Sequence, residues 1–538
     1  MEDPAKRVFI NELVCEGCGD CSTASNCLSV IPVETEFGRK RAIDQSTCNK
    51  DFSCVNGFCP SFVTVHGGGL RKHKPKSGDA RFAPLPEPAL PGLGEPYGIL
   101  ITGVGGTGVV TIGALLGMAA HIEGKGCSIL DMTGLAQKGG AVFSHVRLAE
   151  RPEDIHAVRL AAGGARLLLG CDIVVAATFD GLAKIAQGQT RAVINTEEAV
   201  TGDFTRNPDL EFPLETLKTM IADATGPGAT DFVDATRLAT ALLGDSIATN
   251  PFMLGFAYQK GLIPVSGAAI ERAIELNGVA VEANKRAFLF GRRAAHDPAA
   301  IDRLAAEMSP DSQPAALAQT LDEILAKRVE FLTGYQDAAY AERYRLLVER
   351  VRHIEAEKTP GLTGLAEAVA RYYFKLLAYK DEYEVARLYT DPRFRQALAR
   401  HFEGDYRLEF HLAPPLLNPR DPDSGKPIKK RYGPWMMKVF GLLARLKFLR
   451  GGAFDLFGRT AERRLERQLI TDYEALIGEI LEKLDHDRHR LAVALASLPE
   501  QIRGYGHVKQ AHLDKTLKRQ KELLAAFRAP AERQTAAE

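Results

Sequence analysis

The sequence predicts an α/β protein with a cysteine-rich head and a mainly helical C-terminal region. Three observations lead to this prediction. Seven of the nine cysteines lie within the first 59 residues. A glycine loop of the form GxGxxG follows a short apolar segment that begins at Gly98, and short apolar segments then alternate with helical ones. Beyond Pro298 the sequence changes to long amphipathic segments rich in Ala, Leu, Glu, Lys and Arg.

The cysteines of the head fall into two runs. The first is a CxxCxxC turn followed by one more cysteine, and the second run ends in Cys-Pro. In two-cluster ferredoxins such a turn places three thiolates around one corner of a 4Fe-4S cluster, and the last cysteine of each run ligates the other run's cluster. The sequence therefore predicts a ferredoxin-like domain over residues 1–65 with two iron-sulfur clusters. Cluster one is assigned the ligands Cys15, Cys18, Cys21 and Cys59.

The second cluster is less regular than the first. Its predicted ligands are Cys27, Cys48, Asp51 and Cys54, and Asp51 stands where a regular run has its middle cysteine. Oxygen is a harder ligand than thiolate and holds iron less selectively. Cluster two is therefore a 4Fe-4S cluster with one carboxylate ligand or a 3Fe-4S centre. An Asp51 that only caps a turn is the alternative.

Other uses of these thiols fit the sequence less well. Structural zinc sites usually contain paired CxxC knuckles, and a disulfide framework requires an oxidising compartment. Charged residues follow Met1 where a signal peptide would be apolar, so a cytoplasmic location is expected. No apolar run approaches the ~20 residues that span a bilayer. The 68 basic and 68 acidic residues give zero net charge, and no nucleic acid partner is expected.

A linker is predicted over residues 66–97, where glycines and lysines precede a series of prolines. A Rossmann-like doubly wound domain is predicted over residues 98–297. Its glycine loop lies between a strand and a helix, as the dinucleotide fingerprint requires, and Asp131 at the end of the next strand is a candidate ribose acceptor. The alternative is that the glycines only let the sheet turn sharply. A mostly parallel sheet is expected, with strands at residues 98–102, 128–132, 141–148, 172–177 and 191–195.

Three segments of this domain resemble the gamma domain of 2-oxoacid:ferredoxin oxidoreductases. They are the loop at residues 103–109, residues 131–147, and residues 250–255 with 274–284. Together with the head and the helical tail, the arrangement is similar to the C-terminal half of fused indolepyruvate:ferredoxin oxidoreductases. The resemblance implies oxidative decarboxylation of an aryl-pyruvate on thiamine diphosphate, transfer of the acyl group to coenzyme A, and delivery of two electrons to ferredoxin through iron-sulfur clusters.

Thiamine enzymes bind the diphosphate through Mg²⁺ at a Gly-Asp-Gly sequence, which does not occur here. The resemblance therefore implies a gamma and electron-transfer subunit of a hetero-oligomer, with thiamine diphosphate and Mg²⁺ on a partner chain and no catalytic residue on this one. A subunit of an NAD(P)- or flavin-linked iron-sulfur oxidoreductase is the alternative. The loop residues could then face coenzyme A, a nucleotide or only the partner; they are Gly103, Gly105, Gly106, Thr107 and Gly108. Lys138 and His145 could face the substrate cavity, or His145 could be structural.

Residues 298–538 are predicted to form a mainly helical domain. The expected helices are residues 315–333, 338–356, 362–379, 461–486 and 515–528, with a Pro-rich interruption at 413–426. Residues 426–450 form a basic amphipathic segment. Three uses of it stay open: docking of an acidic ferredoxin through Lys429, Lys430 and Arg431, binding to a membrane surface, or a core helix whose charges reach the solvent at its rim.

Overall fold

The computed structural model describes residues 5–71, 84–133, 140–199, 202–308, 317–414 and 428–529. The chain forms two compact units. The first, here called the cysteine-helical unit, comprises Met1–Arg71, Thr205–Pro208 and Ala315–Glu538. The second, the α/β unit, comprises Lys72–Phe204 and Asp209–Pro314. The head and the C-terminal region therefore share one unit. The boundaries at residues 65, 97 and 297 stay predictions.

The head contains short strands and one short helix, and its cysteines lie mostly in the connecting loops. The elements are β1 (Lys6–Ile10), α1 (Asp20–Ser25), β2 (Val30–Val33), β3 (Lys40–Ile43) and β4 (Phe62–Leu70). Strands β1 and β4 pair antiparallel, as do β2 and β3.

The next part of the chain alternates between strands and helices. Its strands are β5 (Tyr97–Val104), β6 (Gly126–Thr133), β7 (Ala141–Ala149), β8 (Leu167–Gly170), β9 (Arg191–Asn195) and β10 (Thr230–Val233). Its helices are α2 (Val109–Ile122), α3 (Ile173–Ala176), α4 (Phe179–Leu182), α5 (Gly202–Arg206), α6 (Leu214–Thr225), α7 (Ala235–Leu243), α8 (Thr249–Gln259), α9 (Gly267–Asn277), α10 (Val281–His296) and α11 (Pro298–Met308).

The six strands form one mixed sheet in the order β10-β9-β8-β5-β7-β6. The pairs from β10 to β5 are parallel, whereas β7 is antiparallel to both β5 and β6. Residues 134–140 alone connect β6 to β7, fewer than the dozen or so that a parallel crossover needs. The α/β class is confirmed, but the doubly wound parallel arrangement is wrong at β7.

The centre of the sheet is buried on both faces. In β8, Leu167 and Leu169 pack under α2 and α8, while Leu168 joins the cluster on the other face with α3 and α6. Burial on both faces explains the continuous apolar run of this strand. The strand predicted at residues 172–177 is wrong, because the Asp172 carboxylate accepts the Val175 N–H at 2.8 Å and caps α3 instead.

The C-terminal part is largely helical, as the sequence predicts. Its helices are α12 (Leu321–Tyr335), α13 (Ala338–Lys358), α14 (Leu365–Leu377), α15 (Glu382–Thr390), α16 (Pro392–His401), α17 (Met436–Arg445), α18 (Ala461–Lys483), α19 (His489–Ser497) and α20 (Gly506–Arg528). Its strands are β11 (Phe402–Leu412) and β12 (Lys430–Tyr432). Most of residues 413–426, the Pro-rich interruption, lie outside the described residues.

A second sheet joins the head to the C-terminal region. Its order is β1-β4-β11-β12, and β11 runs antiparallel to β4 from Phe402 opposite Leu70 to Phe410 opposite Val63. The head is therefore built into the same sheet as residues from the far end of the chain. Within the described part of the chain, no helix is both long and apolar enough to cross a membrane.

Candidate functional site

The structure brings together the four cysteines assigned to cluster one. Cys15 and Cys18 lie in the loop before α1, Cys21 lies in the first turn of α1, and Cys59 precedes β4. Cys15 and Cys21 are buried. The loop turns at Gly17, whose φ is 66° and whose added Cβ would lie 2.1 Å from the Arg39 carbonyl oxygen. Only glycine fits at this position.

Burial and neighbouring thiols of this group raise the pKa values of Cys18 and Cys21. Burial raises the pKa of Cys21 well above its ordinary value, and the charges of Cys59, Cys15 and Cys18 raise it further. The pKa of Cys18 is raised first by burial and then by the charge of Cys59. Two of these four thiols are buried and two are half-buried, and in their ionised form they would repel one another unless a cation were bound. Iron would supply that charge, and its binding would displace the thiol protons.

The residues assigned to cluster two also lie near one another in the head. Burial raises the pKa of Cys54 to about 12, with further contributions from the charges of Cys27, Cys48 and Asp51. Cys54 is buried, while Cys27 and Cys48 are half-buried. Cysteines of both predicted ligand sets pack in one cluster of the head, and within each set burial and the charges of neighbouring cysteines raise the pKa of at least one thiol.

Iron-sulfur clusters and single metal ions need different arrangements of their ligands. Among the residues described, no three or more His, Cys, Asp or Glu side chains converge closely enough to hold one metal ion. A zinc site needs four ligands on one atom at ~2.3 Å for sulfur. A 4Fe-4S cluster needs less convergence, because each thiolate binds a different iron atom of the cube. The occupancy and ligand assignments stay predictions.

Asp51 takes part in a hydrogen-bonded turn. Its carboxylate accepts the Ser53 N–H at 3.0 Å and the Ser53 hydroxyl at 2.8 Å, and its second oxygen accepts from Asn49 at 3.0 Å. These are the contacts of an Asx turn. The same carboxylate is near enough to affect Cys54. The geometry is compatible with the turn-capping alternative, and iron ligation would require these hydrogen bonds to rearrange.

Two substitutions separate these roles of Asp51. If it is a ligand, we expect Asp51→Cys to suppress loss of the corner iron on mild oxidation, because thiolate holds iron more firmly than carboxylate. Asp51→Asn keeps the turn acceptor but weakens the ligand, so it should increase the 3Fe-4S signal in electron paramagnetic resonance (EPR). If Asp51 only caps the turn, neither substitution changes the signal.

Lys380 from the C-terminal region lies against the cluster-one loop. Its Nζ donates to the carbonyl oxygens of Val14 at 3.2 Å and Cys15 at 3.0 Å, and it pairs with Glu16 at 2.6 Å. Burial alone would raise the pKa of Glu16, but the charges of Lys380 and Lys40 help to hold it at about 2. A fixed cation beside a cluster stabilises its more negative reduced form. Lys380 has no local signal in the sequence, because its partner lies in the distant head.

Lys429 contacts the second half of the head. Its Nζ donates to the carbonyl oxygens of Val55 at 2.8 Å and Gly57 at 2.6 Å. Burial lowers its pKa, and the charge of Cys59 opposes that effect. The interpretation of Lys429 as a free steering charge is therefore wrong, because its ammonium group is held between the two cysteine groups. Lys430 and Arg431 are exposed, as that interpretation requires.

The glycine loop leads from β5 into α2. Gly103 is buried, and an added Cβ would lie 2.5 Å from the Val109 side chain, so strand and helix approach closely there. Gly106 and Gly108 each have a φ of 89°. Gly106 and Thr107 are exposed, and no side chain caps the first turn of α2. The loop is therefore open to solvent at Gly106 and Thr107, although the Thr107 N–H already donates to the Val104 carbonyl oxygen at 3.3 Å.

The loop is held by hydrogen bonds from more distant residues. The Gly105 N–H donates to the Gly140 carbonyl at 2.8 Å, and Asn250 donates to the Thr107 carbonyl at 2.8 Å. Asp131 lies on β6, and β7 separates that strand from β5. It is exposed and about 10 Å from the strand that ends in the loop. In the dinucleotide fingerprint the acidic residue belongs to a neighbouring strand, so the position of Asp131 does not favour a ribose.

His145 lines a pocket of about 190 Å³ beside the sheet together with Phe143, Arg159 and Lys184. The buried imidazole accepts the Leu160 N–H on Nδ1 at 3.3 Å. Burial, followed by the charge of Lys184, lowers its pKa to about 4. His145 is therefore neutral near pH 7 and orders the neighbouring loop. Lys138 lies outside the described residues.

Comparison with known proteins places the α/β unit in a family. The sequence model described as pyruvate ferredoxin/flavodoxin oxidoreductase matches residues 98–294. Residues 98–294 are a gamma domain of this family. Residues 321–522 match a family of unknown function (DUF6537).

The gamma domain is similar to the indolepyruvate oxidoreductase subunit IorB of Thermococcus kodakarensis and of Pyrococcus horikoshii. Each is 29% identical over 204 residues, which cover 37% of this chain and 96% of the relative. The solved structure of pyruvate oxidoreductase subunit PORC from Thermotoga maritima is 21% identical over 37% of this chain and 96% of that chain, with a TM-score of 0.28.

Proposed function

We propose that this chain is the gamma and electron-transfer subunit of a thiamine diphosphate-dependent 2-oxoacid:ferredoxin oxidoreductase of the indolepyruvate type. In this reaction an aryl-pyruvate loses CO₂, its acyl group forms a thioester with coenzyme A, and two electrons reduce two ferredoxin molecules. The observation that supports the proposal is the presence of seven buried or half-buried cysteines in the head of the same chain as the gamma domain. The names of the IorB relatives support the choice of an aryl-pyruvate.

The residues of the head would hold the electron path. Two 4Fe-4S clusters, or one such cluster and a 3Fe-4S centre, would each accept one electron at a time when bound. The first cysteine group would bind one of them, and Lys380 would stabilise its reduced form through the contacts with Val14 and Cys15. The ammonium group of Lys429 would act on both, since it lies between the two groups.

Thiamine diphosphate and Mg²⁺ are assigned to a partner subunit. Gly103, Gly105, Gly106, Thr107 and Gly108 would face an anion of coenzyme A or the surface of that subunit. The exposure of Gly106 and Thr107 before α2 leaves the loop open to such a contact, while the position of Asp131 argues against a nicotinamide nucleotide. The alternative of an NAD(P)- or flavin-linked subunit is therefore the weaker candidate.

Reconstitution with the partner tests this proposal. The anaerobically reconstituted chain should bind iron and sulfide but should not decarboxylate indolepyruvate, because the thiamine site is not on it. Adding the thiamine-binding subunit should restore dye reduction that depends on both indolepyruvate and coenzyme A. Robust turnover by this chain alone, or NADH-dependent dye reduction, would contradict the proposal.

A further inference from the structure

One exposed helix face combines basic with apolar side chains, and it follows the segment that contains Lys429. Helix α17 packs Phe440 against Tyr389, with parallel rings 4.8 Å apart, and against Phe410 at 5.3 Å. Its other face, continued into the following turn, is exposed to solvent. We call this face the docking ridge; it consists of Trp435, Lys438, Leu442, Arg445 and Phe448.

The spacing of these residues places them on one side of the helix. They follow at intervals of three or four residues, which is the period of an α-helix. Trp435, Leu442 and Phe448 are 56%, 61% and 67% exposed. Large apolar side chains with this exposure normally mark a contact surface when they occur together. The packing of Phe440 holds the helix in place, so the ridge is pre-formed.

The charged side chains of the docking ridge are basic. From Ile428 to Arg459 the chain has eight Lys and Arg residues, and its one carboxylate, Asp455, is buried. Some of the eight are engaged elsewhere: Lys429 and Lys447 donate to backbone carbonyls, and Arg450 pairs with the buried Asp381. Lys438 and Arg445 are exposed on the ridge. Among neighbouring elements, Glu409 of β11 approaches Arg431 at 3.9 Å and is half-buried. The complementary partner surface is therefore acidic around an apolar centre.

The position and size of the ridge favour a small, transient partner contact. The segment that leads into it contains Lys429, whose ammonium group lies beside the loop that holds Cys54 and Cys59. The docking ridge is about 20 Å long and about 10 Å wide, which gives a contact surface of roughly 200 Å². That area suits an electron-transfer encounter, which buries less than ~1,200 Å² in total, and is small for an obligate subunit interface of more than ~2,000 Å².

We infer that the docking ridge receives an acidic electron-carrier protein of the ferredoxin class and places it beside the cysteine groups. The inference rests on the proposed function, because that function supplies an electron carrier as partner. Lys438 and Arg445 steer the carrier, and the exposed aromatic and aliphatic side chains make the central contact. An anionic membrane has the same sign of charge as such a carrier, and the experiment separates the two partners.

Trp435 is the chain's only tryptophan, so its fluorescence reports on the ridge directly. The full chain, reconstituted with iron and sulfide, is titrated with an acidic two-cluster ferredoxin that lacks tryptophan. Saturable quenching is expected at about 0.01 M salt and its loss at about 1 M, where the Debye length falls from about 30 Å to about 3 Å. No 2-oxoacid, coenzyme A or partner subunit is present, so failure of the proposed function does not affect the result.

Two matched double variants complete the test. Lys438→Glu with Arg445→Glu should weaken ferredoxin binding at least about tenfold at low salt. Lys515→Glu with Lys518→Glu makes an equal change of charge on the exposed face of α20 and should change binding less than about twofold. Lys438→Ala with Arg445→Ala should give an intermediate loss, and circular dichroism verifies folding.

Three outcomes would overturn the inference. One is an equal loss of binding in both charge-reversed variants, and another is the absence of any response to ferredoxin. The third is a Trp435 response only to phosphatidylserine vesicles or only to the thiamine-binding subunit, which would assign the ridge to that partner instead.

Discussion

Replacing Cys21 by Ala is expected to remove cluster one and to lower ferredoxin reduction by the assembled enzyme more than about 100-fold. Changes in residues around a metal ligand commonly cost 10- to 100-fold, and the loss of a ligand itself should cost more. Cys21 is buried among the thiols of Cys15, Cys18 and Cys59, so no water or other side chain readily replaces it. Iron and sulfide per chain should fall by about one cluster.

Cys127 provides the matched control for this substitution. It is an exposed thiol on β6, outside both cysteine groups. Cys127→Ala should leave the iron content, the EPR spectrum and ferredoxin reduction unchanged. If Cys21→Ala keeps its full iron content and activity, the assignment of cluster one is wrong.

Replacing Gly255 by Val is expected to destabilise the α/β unit by more than about 3 kcal/mol, which is at or above the usual cost of overpacking. Helices α8 and α10 cross at this residue, and an added Cβ would lie 2.0 Å from the Phe288 carbonyl oxygen. A backbone atom inside a helix cannot move away as a flexible side chain can. Thermal unfolding followed by circular dichroism should show a lower midpoint.

Gly478 in α18 is the contrasting position, because an added Cβ there meets nothing within 4 Å. Gly478→Ala should be neutral or stabilising by up to about 1 kcal/mol, since alanine has the higher helix propensity. Equal stability of the Gly255→Val variant and the unchanged chain would contradict the close helix crossing.

Local patterns in the sequence predict many of these elements well. The helix predicted from Ala338 and the strand over Arg191–Asn195 begin where α13 and β9 begin. The hydrophobic periodicity that predicts such a helix or strand is set by residues close together in the sequence. The strand predicted at residues 172–177 fails because apolar content alone does not distinguish a buried strand from a capped helical turn, and the capping hydrogen bond of Asp172 decides between them.

The sequence does not predict which distant strands pair with each other. The sheet that joins β4 to β11 pairs Val63 with Phe410, and neither strand shows which partner it will find. The same limit applies to the candidate site. The cysteine spacing predicts two sets of ligands, which stay predictions, but it does not indicate Lys380 or Lys429, because these residues reach the cysteine loops only through tertiary packing.

Freeze-quench EPR of the assembled enzyme tests the central claim most directly. Indolepyruvate and coenzyme A are mixed with this chain and its thiamine-binding partner in the absence of any external acceptor. If this chain is the electron-transfer subunit, signals of its reduced clusters should appear at the rate of decarboxylation and should be diminished selectively in the Cys21→Ala variant. Clusters that stay oxidised while the 2-oxoacid is consumed would contradict the account.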